Sequence, residues 1–359
     1  MTERRQGRTA ERVQLILSSL LNEHLLVFMF CLAVIIGPGI AALFEHDLSQ
    51  YPDCTTYLGL AHFDFDQNPV RRYRVIIPFA AAILNFLFGG IFARLAPAYF
   101  VGNFSLPFSF FIINSLLTAC SGLLIYRYCK AFGVHKTAAI IGTLAMLTCR
   151  YTIATAALPL VDSLFCVVIA LTLLGLKLND KKMLLLAIFI GPFAKEAFIF
   201  IAPLIFFFSQ MSKKRLLLFF LISGILVFTF RYLYDVYTLK PVASGIISDL
   251  RHLKNIKWNL RKLFSFYTLF KILMNLGLWV LVPLFTLVIK PHWAKELLEK
   301  LDRYLIYFII SVVLQMLLSG SMERMFYLAM PLICVIVALA ADELGRLYNE
   351  RINPPDSYI

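Results

Sequence analysis

Residues 25–45, LLVFMFCLAVIIGPGIAALFE, decide the fold class, because the only charged residue in this run is the last one, Glu45. A bilayer core about 30 Å thick is crossed by a helix of roughly 20 apolar residues. Comparable runs recur along the chain, at 106–126, 137–157, 160–178, 216–235, 270–290, 303–319 and 325–343. Hydrophobic residues make up 60% of the 359 residues and the mean hydropathy is +0.79, more than a soluble core can bury. The sequence therefore predicts an all-α, polytopic, integral membrane protein.

Two shorter apolar runs, 183–193 and 197–210, lie on either side of the dipeptide Lys195-Glu196. Their outer ends are flanked by basic residues, namely Lys181, Lys182, Lys213, Lys214 and Arg215. Basic flanks favour the cytoplasmic side of a membrane. We therefore expect a hairpin of short helices with Lys195 and Glu196 near the far side. The hairpin brings the total to about ten transmembrane helices in a single membrane domain, residues 1–359.

The apolar run 75–101 sets the topology of everything that follows it. It is interrupted by Pro78, Gly89, Gly90, Arg94 and Pro97. If it stays on the external face, the basic residues after the next helix fall in the cytoplasm, as the positive-inside rule requires. Four arginines within the first 25 residues place the N-terminus in the cytoplasm as well. We predict that residues 46–104 form one external loop with interfacial helices.

That loop contains YPDCTTYLGLAHFDFDQNPVRRYR, residues 51–74, in which aspartates and arginines are crowded between apolar runs. The predicted topology places further ionisable residues on the same face, namely Asp162, Lys195, Glu196, Glu323 and Arg324. Ionisable groups at membrane depth are costly and usually mark a functional site when they gather on one face. Each also has a simpler interpretation, as a helix cap, a self-neutralising pair or an interfacial charge.

Several short motifs in this order carry a resemblance to a known family. They are Asp53-Cys54-Thr55-Thr56-Tyr57 after the first helix, Asn68-Pro69, Arg74 four residues before Pro78, Leu158-Pro159-Leu160-Val161-Asp162, Ala194-Lys195-Glu196 and Glu323-Arg324. Over about residues 1–343 the chain resembles the GT-C superfamily of polytopic membrane glycosyltransferases. These enzymes transfer sugars from polyprenyl-phosphate donors.

The resemblance implies an inverting glycosyltransferase of cell-envelope glycan biosynthesis, with Asp53 as the base that takes the acceptor proton. The residues expected to bind substrate are Tyr57, Arg71, Arg72, Arg74, Asp162, Lys195, Glu196, Glu323 and Arg324. Cations hold the phosphate leaving group, and arginine suits it best because its planar fork binds phosphate through two hydrogen bonds. The implied partners are a polyprenyl-phosphate-linked sugar donor and a lipid or glycan acceptor. We expect a bacterial inner membrane with the site facing the periplasm.

Other functions remain open at this stage. Asp64-Phe65-Asp66 spells a DxD triplet, and a divalent metal has possible ligands in His46, Asp47, Asp53, His62, Asp64 and Asp66. Their spacing fits no fixed coordination pattern, so we expect no cofactor. An O-antigen-type polymerase and a lipid-linked sugar flippase or transporter are the alternatives. The flippase would predict inverted repeats and charges near the bilayer midplane.

A second external segment, residues 236–269, is basic and amphipathic. Apolar residues recur in it at helical spacing, and basic residues lie largely between them. Such a helix binds anionic membrane lipids, or alternatively the acceptor or the phosphate of a lipid-linked substrate. The net charge of +13 likewise suits anionic lipid rather than nucleic acid.

Overall fold

A computed structural model describes residues 23–69, 71–95, 104–239, 253 and 255–352. Helices are the only regular secondary structure in these residues. The α-helices are α1 (Glu23–Glu45), α2 (Pro52–Ala61), α3 (Ile76–Arg94), α4 (Ser105–Lys130), α5 (Lys136–Leu147), α6 (Arg150–Ala157), α7 (Asp162–Leu178), α8 (Lys181–Ala194), α9 (Ala202–Phe208), α10 (Lys213–Tyr237), α11 (Asn255–Leu263), α12 (Phe266–Leu276), α13 (Leu281–Ile289), α14 (Trp293–Lys300), α15 (Tyr304–Leu318), α16 (Met322–Phe326) and α17 (Met330–Ile352). Short 3₁₀ helices occur at Leu48–Gln50, Glu196–Phe200, Gly277–Val280 and Tyr327–Ala329.

Within the described ranges, six helical stretches are long and apolar enough to cross a membrane. They are Glu23–Glu45, Ile76–Arg94, Ser105–Lys130, Lys213–Tyr237, Phe266–Ile289 and Arg324–Ile352. If each of two bent pairs, α5 with α6 at 64° and α14 with α15 at 92°, is counted as one span, the number rises to eight. The prediction of an all-α, multi-pass membrane protein is confirmed. The expected number of ten is wrong, because α7 has 17 residues and α8 has 14, fewer than the ~20 that a bilayer core requires.

The helices define two ends of the bundle. At one end, the rings of Phe44 and Phe104 lie 5.6 Å apart, where α1 ends and α4 begins. At the other end, the Tyr126 hydroxyl lies 2.5 Å from a carboxylate oxygen of Glu23, and the Lys136 ammonium lies 2.6 Å from the second oxygen. The helices α1 and α4 are therefore antiparallel. We call these the Phe104 end and the Glu23 end.

Residues 46–104 leave α1 and return to α4 at the Phe104 end. The ring of Phe92, near the end of α3, lies 5.1 Å from that of Phe108 in the first turn of α4. If α1 and α4 both cross a bilayer, the segment between them makes an even number of crossings. In the described part of this segment α3 is the one helix of spanning length, so the geometry favours a loop that stays on one side.

One expectation about this segment is wrong. The helix α3 runs without a break through Pro78, Gly89 and Gly90, which were expected to interrupt it. Pro78 is tolerated because it is the third residue of the helix, where the backbone N–H would have no acceptor within the helix. From Ile76 to Arg94 the run is thus one helix, whereas Pro97, which was also expected to interrupt it, lies outside the described residues.

The main core lies among α4, α5, α7 and α17, where Phe165, Leu173 and Val335 are fully buried. The helices α5 and α17 approach closely at Gly142, where a Cβ atom would lie 2.5 Å from the carbonyl oxygen of Cys334. By contrast, α10 leaves apolar side chains exposed along its length, such as Phe228 at 63%. That distribution suits a bundle whose outer helices contact lipid.

Candidate functional site

A chain of ion pairs joins four separate parts of the sequence at the Phe104 end. Arg71 Nη2 lies 2.6 Å from Asp53 Oδ1, and Arg324 Nη1 donates to the other oxygen of Asp53. The second terminal nitrogen of Arg324 donates to Asp162 Oδ2. Lys195 Nζ completes the chain at 2.7 Å from Asp162 Oδ1. Two carboxylates are therefore bridged by one guanidinium and flanked by two further cations.

A second group of polar contacts adjoins the first through Glu196, the residue after Lys195. Arg74 donates to Glu196 Oε2 from Nη2 at 2.7 Å and from Nε at 3.0 Å. Arg74 Nη1 donates to the Tyr57 hydroxyl at 2.9 Å, and Arg231 Nη2 lies 3.2 Å from Glu196 Oε1. We call the nine residues the charged cluster: Asp53, Tyr57, Arg71, Arg74, Asp162, Lys195, Glu196, Arg231 and Arg324.

The charged cluster is not neutral. Among the side chains that the structure describes, it holds five cations and three anions, an excess of two positive charges; Glu323, beside Arg324, is not counted because its side chain is not described. Positive charge in excess of the carboxylates that hold it is unfavourable in a membrane protein unless an anion compensates it. The excess charge therefore points to an anionic ligand.

The short helix α2 places Asp53 and Tyr57 on one face. Pro52 starts the helix at the position where its missing N–H is not needed, and Asp53 follows in the first turn. Residues four apart lie on the same side of a helix, so Asp53 and Tyr57 both face the cluster. Tyr57 is fully buried, and burial raises the pKa of its phenol to about 12. Tyr57 therefore stays protonated and keeps a hydroxyl hydrogen to donate.

Asp162 is positioned by a residue that the sequence analysis did not select. The amide nitrogen of Asn114 donates to the carbonyl oxygens of Leu158 and Leu160, both at 3.0 Å. The hydroxyl of Ser163 donates to Asn114 Oδ1 at 2.5 Å. These bonds hold the extended turn between α6 and α7, so that Asp162 begins α7 facing Arg324. The signal in the sequence was a single asparagine, Asn114, inside the apolar run 106–126, and the structure shows it fully buried.

The turn between α8 and the next 3₁₀ helix sends two neighbouring side chains to different partners. Lys195 has the extended backbone conformation, with φ −165° and ψ 141°. In an extended chain successive side chains point to opposite sides. Lys195 therefore reaches Asp162 while Glu196 reaches Arg74. Lys195 and Glu196 lie between α8 and α9, which is the position predicted for the tip of the hairpin.

One predicted substrate-binding residue, Arg72, lies outside the charged cluster, and the position of a second, Glu323, relative to the cluster is not described. Arg72 is only 2% exposed, and its Nη2 lies 2.6 Å from Asp235 and 2.9 Å from the hydroxyl of Tyr73. The structure thus directs Arg71 and Arg74 to the cluster and Arg72 to α10. Glu323 belongs to α16 beside Arg324, but its side chain lies outside what the structure describes.

The possible metal ligands of the first loop are not gathered around one point. Asp64 accepts hydrogen bonds from the Asp66 backbone and from Gln67, at 3.0 and 2.8 Å. Asp47 caps the 3₁₀ helix Leu48–Gln50 by accepting from Ser49. No group of three or more histidine, cysteine, aspartate or glutamate side chains is arranged to hold a metal ion within the described ranges.

The charged cluster is open on one side. The side chains of Arg71, Arg324 and Asp53 are 29%, 23% and 18% exposed, whereas that of Asp162 is only 4% exposed. The Nε atom of Arg324 is buried and has no hydrogen-bond acceptor among the residues that the structure describes. A ligand that enters at Asp53 and Arg71 would therefore find an unused donor on Arg324.

No family model matches the chain, and neither a curated protein nor a solved structure matches it. The function is consequently argued from the charged cluster and its place in the bundle.

Proposed function

We propose that the protein is a membrane glycosyltransferase that moves a sugar from a polyprenyl-phosphate donor to a hydroxyl acceptor. The site is the charged cluster, and it faces the periplasm of a bacterial inner membrane. The observation that carries the proposal is the excess of two positive charges among the described side chains of the charged cluster, one beside Asp53 and Asp162 and one beside Glu196, at one end of a bundle of apolar helices. A lipid-linked phosphate is the anion that reaches such a place from within the bilayer.

The chemistry of transfer matches this charge. A sugar phosphodiester carries one negative charge, and the phosphate monoester that leaves carries close to two. Cations fixed in advance stabilise the charge that develops as the sugar–oxygen bond breaks, which lowers the barrier. The excess of two positive charges therefore fits the leaving phosphate better than it fits the intact donor.

In the proposed step, the acceptor hydroxyl attacks the anomeric carbon from the face opposite the phosphate. The new carbon–oxygen bond forms while the bond to the phosphate oxygen breaks, so the configuration inverts. The proton of the acceptor passes to the Asp53 carboxylate. Arg71 and Arg324 engage both oxygens of Asp53 in the free protein. The donor phosphate competes for these guanidinium groups and releases a carboxylate oxygen for the proton.

The remaining members of the cluster hold the cations in place. Asp162 orients both Arg324 and Lys195, and Glu196 orients Arg74 and Arg231. Tyr57, protonated and bonded to Arg74, has a hydroxyl hydrogen for the phosphate or for the sugar. A carboxylate that fixes an arginine in this way reduces the reorganisation needed when the leaving group forms.

The test is sugar transfer in liposomes that contain the purified protein. The donors are a panel of polyprenyl-phosphate monosaccharides with radiolabelled sugars, and the acceptors are envelope lipids and glycans extracted from bacteria. We expect one donor to give labelled product with the wild type, and Asp53→Asn to reduce the rate at least ~100-fold. Asp64→Asn is the matched control, because Asp64 is an exposed aspartate of the same loop outside the cluster. It should transfer at the wild-type rate.

The same liposomes distinguish the alternatives. Movement of intact donor across the bilayer without any transfer, at equal rates in wild type and Asp53→Asn, would make the protein a transporter. Transfer that is equal in Asp53→Asn and wild type would remove Asp53 as the base.

A further inference from the structure

The helix α11 carries basic and apolar side chains on its exposed surface. Lys257, Arg261 and Lys262 are exposed, and between them lie Trp258 at 60% and Leu260 at 52% exposure. The Lys262 ammonium lies 4.7 Å from the centre of the Trp258 ring. Tryptophan beside lysine and arginine is typical of a helix that lies in the interface between water and hydrocarbon.

The inward side of α11 is polar, which is the reverse of a helix that packs on a soluble core. Asn259 is only 4% exposed, and its amide nitrogen lies 2.9 Å from the carbonyl oxygen of Leu317 and 2.6 Å from that of Ser319. Asn255 donates to the carbonyl oxygen of Leu318 at 3.1 Å. The last carbonyls of a helix lack partners within it, so two asparagines four residues apart cap the end of α15. Of the apolar side chains of α11, Trp258 and Leu260 are left exposed, whereas Leu263 packs against the core.

Chain continuity places α11 at a membrane surface. Ser265 caps α12, and the stretch Phe266–Ile289 that starts there is long and apolar enough to cross a bilayer. Residues 250–295 contain no aspartate or glutamate. The exposed cations of α11 therefore have no acidic residue within this stretch of the sequence.

We propose that α11 lies in the headgroup layer and binds anionic phospholipids, with Lys257, Arg261 and Lys262 on the phosphates and the Trp258 ring among the headgroups beside Lys262. Through Asn259, the bound helix holds the turn at 319–321, three residues before Arg324 of the charged cluster. The lipid surface thereby fixes one wall of the site. The binding itself does not depend on whether the protein transfers sugar.

The test uses the full-length protein in phosphatidylcholine bilayers and the fluorescence of Trp258, taken as the difference between wild type and Trp258→Phe. Brominated lipid quenches tryptophan on contact. At equal mole fraction, brominated phosphatidylglycerol should quench Trp258 at least about threefold more effectively than brominated phosphatidylcholine. The triple variant Lys257→Gln, Arg261→Gln, Lys262→Gln should lose this preference. The matched control is the double variant Lys181→Gln, Lys182→Gln, which replaces two exposed lysines at the Glu23 end. It should keep the preference for brominated phosphatidylglycerol.

Equal quenching by the two brominated lipids in the wild type would overturn the proposal. The proposal would also fail if undecaprenyl phosphate, added at a few per cent of the lipid, removed the quenching of Trp258 while the same amount of unbrominated phosphatidylglycerol did not. In that case α11 would bind the donor lipid and not the bilayer surface. Because the three cations are exposed, the triple variant should melt at the wild-type temperature, and this measurement accompanies the quenching.

Discussion

Arg72 and Asp235 form a buried ion pair, 2.6 Å from Nη2 to Oδ1, although 163 residues separate them along the chain. The hydroxyl of Tyr73 also donates to Asp235, at 2.8 Å from Oδ2. This pair ties the loop before α3 to the end of α10. The arginines on either side, Arg71 and Arg74, then point to Asp53 and Glu196.

A double-mutant cycle tests whether Arg72 is structural or binds the donor. Asp235→Leu alone removes the carboxylate that faces the buried Arg72 guanidinium and should lower the free energy of unfolding by about 3–5 kcal/mol. Arg72→Met combined with Asp235→Leu replaces the pair by apolar side chains of similar volume, and should recover most of that loss. We expect the double variant to bind polyprenyl phosphate like the wild type. A stable double variant that no longer binds it would return Arg72 to the site.

The topology of the first loop can be tested by thiol labelling of introduced cysteines. Ser49 and Leu95 are both exposed, before α2 and after α3, and Lys181 is exposed at the Glu23 end. We expect Ser49→Cys and Leu95→Cys to react with a membrane-impermeant thiol reagent from the outside of intact cells. Lys181→Cys should react only after permeabilisation. Labelling of Ser49→Cys and Leu95→Cys from opposite sides would mean that α3 crosses the bilayer, and would overturn the one-sided loop.

Arg324 should contribute through its geometry as well as its charge. It bonds Asp53 and Asp162 with two nitrogens held apart in one planar guanidinium, a spacing that the single nitrogen of a lysine ammonium does not reproduce. Arg324→Lys should weaken the binding of undecaprenyl phosphate about 10-fold, and Arg324→Ala more strongly, since a hydrogen bond to a charged group contributes roughly 1.5–3 kcal/mol. Isothermal titration in detergent measures this. Arg351→Ala removes an exposed arginine from the far end of α17 and should bind normally. Normal binding by Arg324→Ala would exclude Arg324 from the phosphate site.

The order of polar residues along the chain was sufficient to select most of the charged cluster. Four members lie close to an end of an apolar run on the same predicted side, namely Asp53, Asp162, Lys195 and Arg324. Because charge at membrane depth is costly, their common side indicates a common site. The partner of each was not predictable. Two of the three loop arginines reach the cluster, and a turn decides which two. In that turn the Arg74 N–H bonds the Arg71 carbonyl, and the sequence has no periodic signal for it.

The number of spanning helices was overestimated for a related reason. Hydropathy counts apolar residues but does not distinguish a helix that faces lipid from one buried within the bundle. The helix α7 is mostly buried, so its apolar character reflects protein packing as much as lipid contact. Asn114 and Asp235 were not predicted to matter, because the sequence does not show which partner a single polar residue inside an apolar run will contact.

Asn114 provides the last prediction, because it acts on the cluster without touching a ligand. Its amide bonds two carbonyls of the turn that precedes Asp162, so Asn114→Ala leaves both buried oxygens without this donor. We expect a loss of about 2–4 kcal/mol in the free energy of unfolding. We also expect weaker binding of undecaprenyl phosphate, because a displaced Asp162 no longer orients Arg324 and Lys195. Ser163→Ala removes only the bond to Asn114 Oδ1 and should cost about 1 kcal/mol, with binding unchanged. If Asn114→Ala destabilises the protein but binds the phosphate as tightly as wild type at a temperature where both are folded, Asn114 supports the fold alone, and the orientation of Asp162 does not depend on it.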